Sequence, residues 1–219
     1  MLVSLFSQYQ RFSLFFLFIV AAHVASMLHF HDYIVVTKPL IVASLIGFYI
    51  STEQKQQNMV LLGLIFALFG DIFLLFDHES FFLLGLISFL LMQWCYIAIF
   101  KKDKESITRK KVVFIGILTV FALGMLIYLW PHLGDMKIHV GLYIFSIVTM
   151  AIFSMLRKSS LPAYREVVLG AILFLISDTI LAINKFVADI VLADYWIMAT
   201  YIAAQYLIIV GLVAGKSQK

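Results

Sequence analysis

Eight hydrophobic runs follow one another along the chain, at residues 12–28, 33–50, 58–76, 81–100, 112–130, 139–156, 167–186 and 193–214. Each holds 17 to 22 residues, the length of helix that crosses a bilayer core of about 30 Å. Only short polar breaks separate them. Of the 219 residues, 63% are hydrophobic and 13% charged, where soluble domains carry about 45–50% and 25%. The expected fold is therefore all-α: a polytopic membrane protein with eight transmembrane helices, residues 1–219 forming a single integral membrane domain. Barrel strands are excluded because the runs do not alternate in polarity. Arg11 and the first run imitate a signal peptide. With no Ala-x-Ala-like cleavage site and seven further runs, that run is read as a retained helix.

Charge fixes the expected orientation. Thirteen basic residues lie in the even-numbered loops and the tails: Arg11, Lys55, Lys101, Lys102, Lys104, Arg109, Lys110, Lys111, Arg157, Lys158, Arg165, Lys216 and Lys219. The odd-numbered loops hold Lys137, with Lys185 at a helix end. The positive-inside rule then places both termini in the cytoplasm, and the expected location is a bacterial inner membrane. It also explains the net charge of +4 without a nucleic-acid partner. The segment "KKDKESITRKK" is read as an anchor at the inner surface. The single Cys95 can form no intramolecular disulfide.

Polar residues inside the runs are few and share a depth. Asp71 is thirteen residues past Asn58, about 20 Å along a helix. Asp178 is eleven past Val167, about 16 Å. Lys38, followed by Pro39, enters from the opposite side, and His23, Tyr143 and Tyr201 fall at similar levels. This predicts one polar cavity opening outward. Helical spacing aligns Asp178, Ala182 and Lys185 on one stripe, and likewise Asp194, Tyr201 and Gln205. Phe89, Gln93 and Tyr96 form a third stripe, and His139, Tyr143, Ser146 and Met150 a fourth. Ionisable groups within a membrane face a protein interior and mark function by default. The structural alternatives are hydrogen bonding between helices for the aspartates, tyrosines and glutamines, snorkelling for Lys38 and a core position for His23.

"GLIFALFGDIFLL" from Gly63 and "GAILFLISDTILA" from Gly170 each place a Gly eight residues before the Asp. With Phe89 and Gln93 matching the spacing of Tyr201 and Gln205, this suggests two parallel four-helix repeats. No ligand cluster suggests a metal: there is no His-Glu-x-x-His, and "HFHD" at 29–32 lies in a loop. A nucleophile elbow and a phosphate-cradling Gly loop are also missing, so no cofactor is expected. Carboxylate chemistry in a lipid-accessible cavity remains.

Lys38-Pro39, Gly70-Asp71, "GLISFLLMQWCY" from Gly85, "GAILFLISD" from Gly170 and "TYIAAQ" from Thr200 occur in order. With Tyr143 in the sixth run, the chain resembles the YhhN-like family of transmembrane lysoplasmalogenases. That family usually has histidine where this chain has Gln93. The resemblance implies hydrolysis of the vinyl ether of a lysophospholipid or related alkenyl-ether lipid, releasing a fatty aldehyde and a glycerophospho-base. Protonating a vinyl ether gives an oxocarbenium ion, which calls for a carboxylic acid and a carboxylate. Under that reading Asp178 is the acid and Asp71 the charged partner, roles that are interchangeable at this stage. Lys38 would hold the headgroup phosphate or tune Asp71, and Tyr143, Tyr201, Gln205 and Gln93 would bind substrate and water. The alternative is a proton-coupled or cation or lipid transporter using Asp71 and Asp178 as relay or gate.

Overall fold

A computed structural model describes residues 6–52 and 58–215; Lys55, Lys216 and Lys219 of the charge argument lie outside them. Eight long helices are present among the described residues: α1 (Gln10–His29), α2 (Ile34–Thr52), α3 (Asn58–Phe73), α4 (Glu79–Lys102), α5 (Arg109–Leu129), α6 (Lys137–Leu156), α7 (Tyr164–Phe186) and α8 (Ala193–Ala214). Short 3-10 turns precede α2 and join α5 to α6. Seven of the helices, all but α3, are long and apolar enough to cross a membrane. The protein is an all-α polytopic membrane protein.

The third run corrects the expected boundaries. Instead of continuing to residue 76, α3 ends at Phe73 and the chain turns through Leu74, Leu75 and Phe76. Those side chains are as apolar as the helix before them, so hydropathy continues where the helix does not. The His78 imidazole then accepts a hydrogen bond from the Ser80 backbone N–H at 3.2 Å, capping α4.

α8 is the central element, with 72% of its apolar stretch buried inside the protein, whereas α5 buries 11%. On α5, Val120 and Ile127 are 71% and 73% exposed, a face suited to lipid and too apolar for water. α8 packs against α7 and α2, α4 packs against α3 and α6, and α1 and α5 flank α2 and α6. Small residues set the close pairs. A Cβ at Gly170 would stand 2.9 Å from the Ala204 carbonyl and 2.8 Å from Ile208, and one at Gly63 would meet the Tyr96 ring at 3.0 Å.

At one end of the bundle the basic segment folds back on the α6–α7 connection. The Glu105 N–H donates to the Leu156 carbonyl (3.0 Å) and the Lys158 N–H to the Asp103 carbonyl (2.8 Å). Lys111 is buried and donates to the Glu105 carboxylate at 2.7 Å and to the Arg157 carbonyl at 3.1 Å. That hydrogen bond holds the Glu105 carboxyl below the usual carboxylate range. Arg157, also buried, approaches Asp103 at 3.6 Å and lies over the Phe100 ring. Two of the expected anchor charges are thus internal parts of a clasp.

Candidate active site

Two Asp–Tyr pairs form from four different helices. On α7, Asp178 sits where the stripe of that helix faces α6, and the Tyr143 hydroxyl donates to its Oδ2 at 2.5 Å. On α3, Asp71 is 1% exposed, and the Tyr201 hydroxyl on α8 donates to its Oδ2 at 2.9 Å. A glutamine stands next to each tyrosine: Gln93 beside Tyr143 and Gln205 beside Tyr201. Each aspartate thus belongs to an Asp–Tyr–Gln group.

The surroundings of the two groups differ. Asp178 is partly open, and it faces an apolar cleft walled by residues such as Phe82, Phe89, Met125, Val140, Leu175 and Phe186. The cleft is tight, with a cavity volume of about 50 Å³. Asp178 is its one ionisable carboxylate. Asp71 lines none of the cavities described here. The Phe89 ring lies against Gly70, where a Cβ would come within 2.6 Å of it, and edges onto Tyr201 at 5.8 Å between centroids. Phe174 meets Tyr201 from another side at 5.5 Å. These rings close the group that Asp71 belongs to.

Lys38 lies in a second cavity, a polar vestibule at the end of the bundle opposite the clasp. His78, Asp77, Lys185 and Asp194 share it. Lys38 interacts electrostatically with Asp71 and Asp194, and Lys185 places its ammonium 5.4 Å from the Phe82 ring centroid. Vestibule and cleft adjoin, because Leu74, Phe82 and Leu181 line both. The single polar cavity expected around Lys38, Asp71 and Asp178 is instead two adjoining compartments, one polar and one apolar, with Asp71 enclosed behind Phe89. Among the described residues no three His, Cys, Asp or Glu side chains gather to hold a metal ion.

The profile of the YhhN family matches residues 33–212. The chain belongs to the YhhN family. Among curated proteins, lysoplasmalogenase TMEM86A of Bos taurus is 28% identical over 78% of this chain and 71% of its own length. Lysoplasmalogenase of Mycobacterium bovis is 31% identical over 62% of this chain and 52% of its own. The human TMEM86A is 28% identical over 78% of this chain and 71% of its own. No solved structure matches the chain.

In this YhhN member the remaining expected residues divide between the two groups. Gln205 is fully buried and both ends of its amide are engaged. Its Oε1 accepts from the Tyr96 hydroxyl at 2.9 Å, and its Nε2 is 3.3 Å from Met92 Sδ. It braces Tyr201 and lines neither the cleft nor the vestibule. Gln93 is equally buried, yet neither of its amide atoms has a hydrogen-bond partner. His23 is a core residue bonded through Nδ1 to Thr37 at 3.0 Å. Lys185, His78 and Asp194 escaped the sequence reading as site residues because each stands at the end of a run. Lys185 and Asp194 carried a signal, each standing seven residues from a site residue, Asp178 and Tyr201, on the same stripe.

Proposed function

We propose that the protein hydrolyses the vinyl ether of lysoplasmalogen-like lipids to a fatty aldehyde and a glycerophospho-base. The observation that carries this reading is the junction of two compartments. One is an apolar cleft with a single carboxylate, its walls of the chemistry that a hydrocarbon chain packs against. The other is a vestibule with Lys38 and Lys185, suited to a phosphate, and with Asp77 and Asp194, suited to a cationic base. An amphipathic lysolipid laid across Leu74, Phe82 and Leu181 would bring its ether bond near Asp178. The names of the relatives, lysoplasmalogenases in cattle, humans and mycobacteria, agree with it.

The chemistry follows from the surroundings of Asp178. A carboxyl in an apolar cleft favours its neutral, proton-donating form. It transfers that proton to the β-carbon of the vinyl ether, the π pair forming the new C–H bond. The α-carbon becomes an oxocarbenium carbon next to the carboxylate just formed, which stabilises it. Water adds there, its proton returns to Asp178, and the hemiacetal collapses to aldehyde and alcohol. Tyr143 fixes the carboxyl orientation. Asp71, held by Tyr201 out of contact with substrate, acts as a fixed negative charge and as the counter-charge to Lys38. Pure protein in detergent should convert an alkenyl lysolipid to aldehyde, and should leave the corresponding alkyl ether untouched. Absence of aldehyde at high enzyme concentration, together with solute flux into proteoliposomes, would favour a carrier.

We further propose that α3 crosses the bilayer with Leu74–Phe76 completing its length, giving eight spans in a bacterial inner membrane and both termini in the cytoplasm. Cytoplasmic reporters fused after Lys219 should be active and those placed at Asp77–Ser80 silent; the opposite pattern ends this topology. The pairing of α3 with α4 and α4 with α6 parallels that of α7 with α8 and α8 with α2, which supports two parallel four-helix repeats. An experimental map in which α1–α4 fails to superpose on α5–α8 would remove the repeat.

A further inference from the structure

The two Asp–Tyr–Gln groups differ in one hydrogen-bonding respect. Gln205 has partners at both ends of its amide, whereas Gln93, 0% exposed, has none within 3.5 Å at either and only reaches toward the Tyr143 hydroxyl. Ser146 Oγ is also buried without a partner. It stands on α6 one turn from Tyr143 and on the same face, and α6 packs against α4, which carries Gln93. Its isolation is unusual within this molecule. Ser26, Ser88 and Ser154 each donate to a carbonyl of their own helix, Ser177 to the Ile197 carbonyl, and Ser13 pairs with Tyr206. Among the described residues Ser146 is the one buried serine left over.

Unsatisfied buried polar groups are costly, each about 1–3 kcal/mol, and the membrane interior offers no bulk solvent to relieve them. Here two such atoms, those of the Gln93 amide, stand beside a tyrosine hydroxyl that is itself bonded to Asp178, and the third lies one turn along the same face of α6. The amide offers a donor and an acceptor, the serine hydroxyl either, and Tyr143 Oη retains a lone pair. This is the complement of a small molecule that both donates and accepts.

We propose that Gln93, Ser146 and Tyr143 form a water site, and that its occupant is the second reactant of the hydrolysis. The proposal rests on the hydrolase reading above and adds the source of the water. After Asp178 has protonated the β-carbon, this water attacks the oxocarbenium carbon from the Gln93 side. Its oxygen forms the new C–O bond, and one of its protons passes to the Asp178 carboxylate directly or through the Tyr143 hydroxyl. No other co-reactant enters. Gln93 and Ser146 are positioning residues: they hold the nucleophile behind Tyr143, at the edge of a cleft whose own walls are too apolar to hold it.

The test is a competition for the cation. With methanol added to the assay, an oxocarbenium ion partitions between aldehyde, from water, and a stable mixed acetal, from methanol. Wild type should yield chiefly aldehyde. In Gln93→Leu and Ser146→Ala the acetal fraction should rise about tenfold, the scale of losing a hydrogen bond or two that hold the water. Gln93→His, which keeps a polar nitrogen in the site, should restore the wild-type partition. Because the readout is a product ratio, partial misfolding does not disturb it. Active variants with an unchanged ratio overturn the water site. If wild type turns over no alkenyl lipid the hydrolase reading fails, and an experimental map then decides the site. Water density within about 2.7–3.2 Å of Gln93 and Ser146 sustains it, and a direct protein partner for Gln93, or no density there, overturns it.

Discussion

Asp71 and Asp178 have the same residue types around them and opposite access. Each accepts a tyrosine hydroxyl, and each tyrosine has a glutamine beside it. One group is closed by Phe89 and Phe174, with every glutamine contact made. The other opens on a cleft and leaves its glutamine unpartnered. A carboxylate that cannot be reached can orient, brace and supply a field, but it cannot hand a proton to a lipid. Under the proposed hydrolysis the comparison therefore favours Asp178 for contact chemistry and Asp71 for a supporting charge.

The largest effect expected from this difference is on turnover. Asp178→Asn removes the donor from the cleft and should lower the rate by about 10² to 10⁴, with the melting temperature nearly unchanged. Asp71→Asn should lower both rate and melting temperature, since it alters a sealed group. A stable, fully active Asp71→Asn together with an unfolded Asp178→Asn would invert the assignment.

Next in size is the loss of each tyrosine hydroxyl. Tyr201→Phe leaves the Asp71 carboxylate enclosed without its donor and should cost about 1.5–3 kcal/mol, the range for hydrogen bonds to charged groups. Tyr143→Phe should cost less stability, because Asp178 opens on the cleft, but should depress turnover more. Thermal unfolding in a matched detergent compares the two, and equal stability losses would erase the distinction between sealed and open.

A change in packing should follow. Gly70→Ala drives a methyl into the Phe89 ring, and overpacking of this kind costs about 1–3 kcal/mol. Displacing Phe89 should also make the Asp71 group more accessible, which faster reaction with a carboxyl-modifying carbodiimide would reveal. The smallest effect belongs to the lipid-facing helix. A Cβ at Gly116 on α5 meets nothing within 4 Å, so Gly116→Ala should be neutral or stabilising by up to about 1 kcal/mol. A large loss there would show that α5 has a partner at that face.

Much of this was legible in the residues. The helices match the hydrophobic runs because the bilayer imposes one length on all of them, and Asp71 and Asp178 stand out because charge is rare within such runs. The end of α3 was not legible: Leu74, Leu75 and Phe76 satisfy the hydropathy pattern while the chain turns. Nor was the division into two compartments. Depth along a helix is a single coordinate, and two residues at equal depth share a cavity only if no ring stands between them. Phe89 over Gly70 decides that, and it depends on how closely α3 and α4 approach. Likewise Lys111 and Arg157 read as surface charges until the α4–α5 and α6–α7 connections are seen to clasp each other.

The near-total lack of polarity in the cleft wall has a practical side. Walls of Phe, Leu, Met and Val recognise a hydrocarbon tail by its bulk and cannot tell a substrate's tail from that of any other surfactant. Enzyme kept in solution by long-chain alkyl glycosides would then work against a constant competitor. Its apparent Michaelis constant should rise with the alkyl length and the micelle concentration, while the limiting rate stays put. In the proposed reaction the released aldehyde carries the same tail, so progress curves should bend early unless an acceptor lipid phase or a trapping amine removes it. Nanodiscs, which need no free detergent, are the medium in which the intrinsic rate would show.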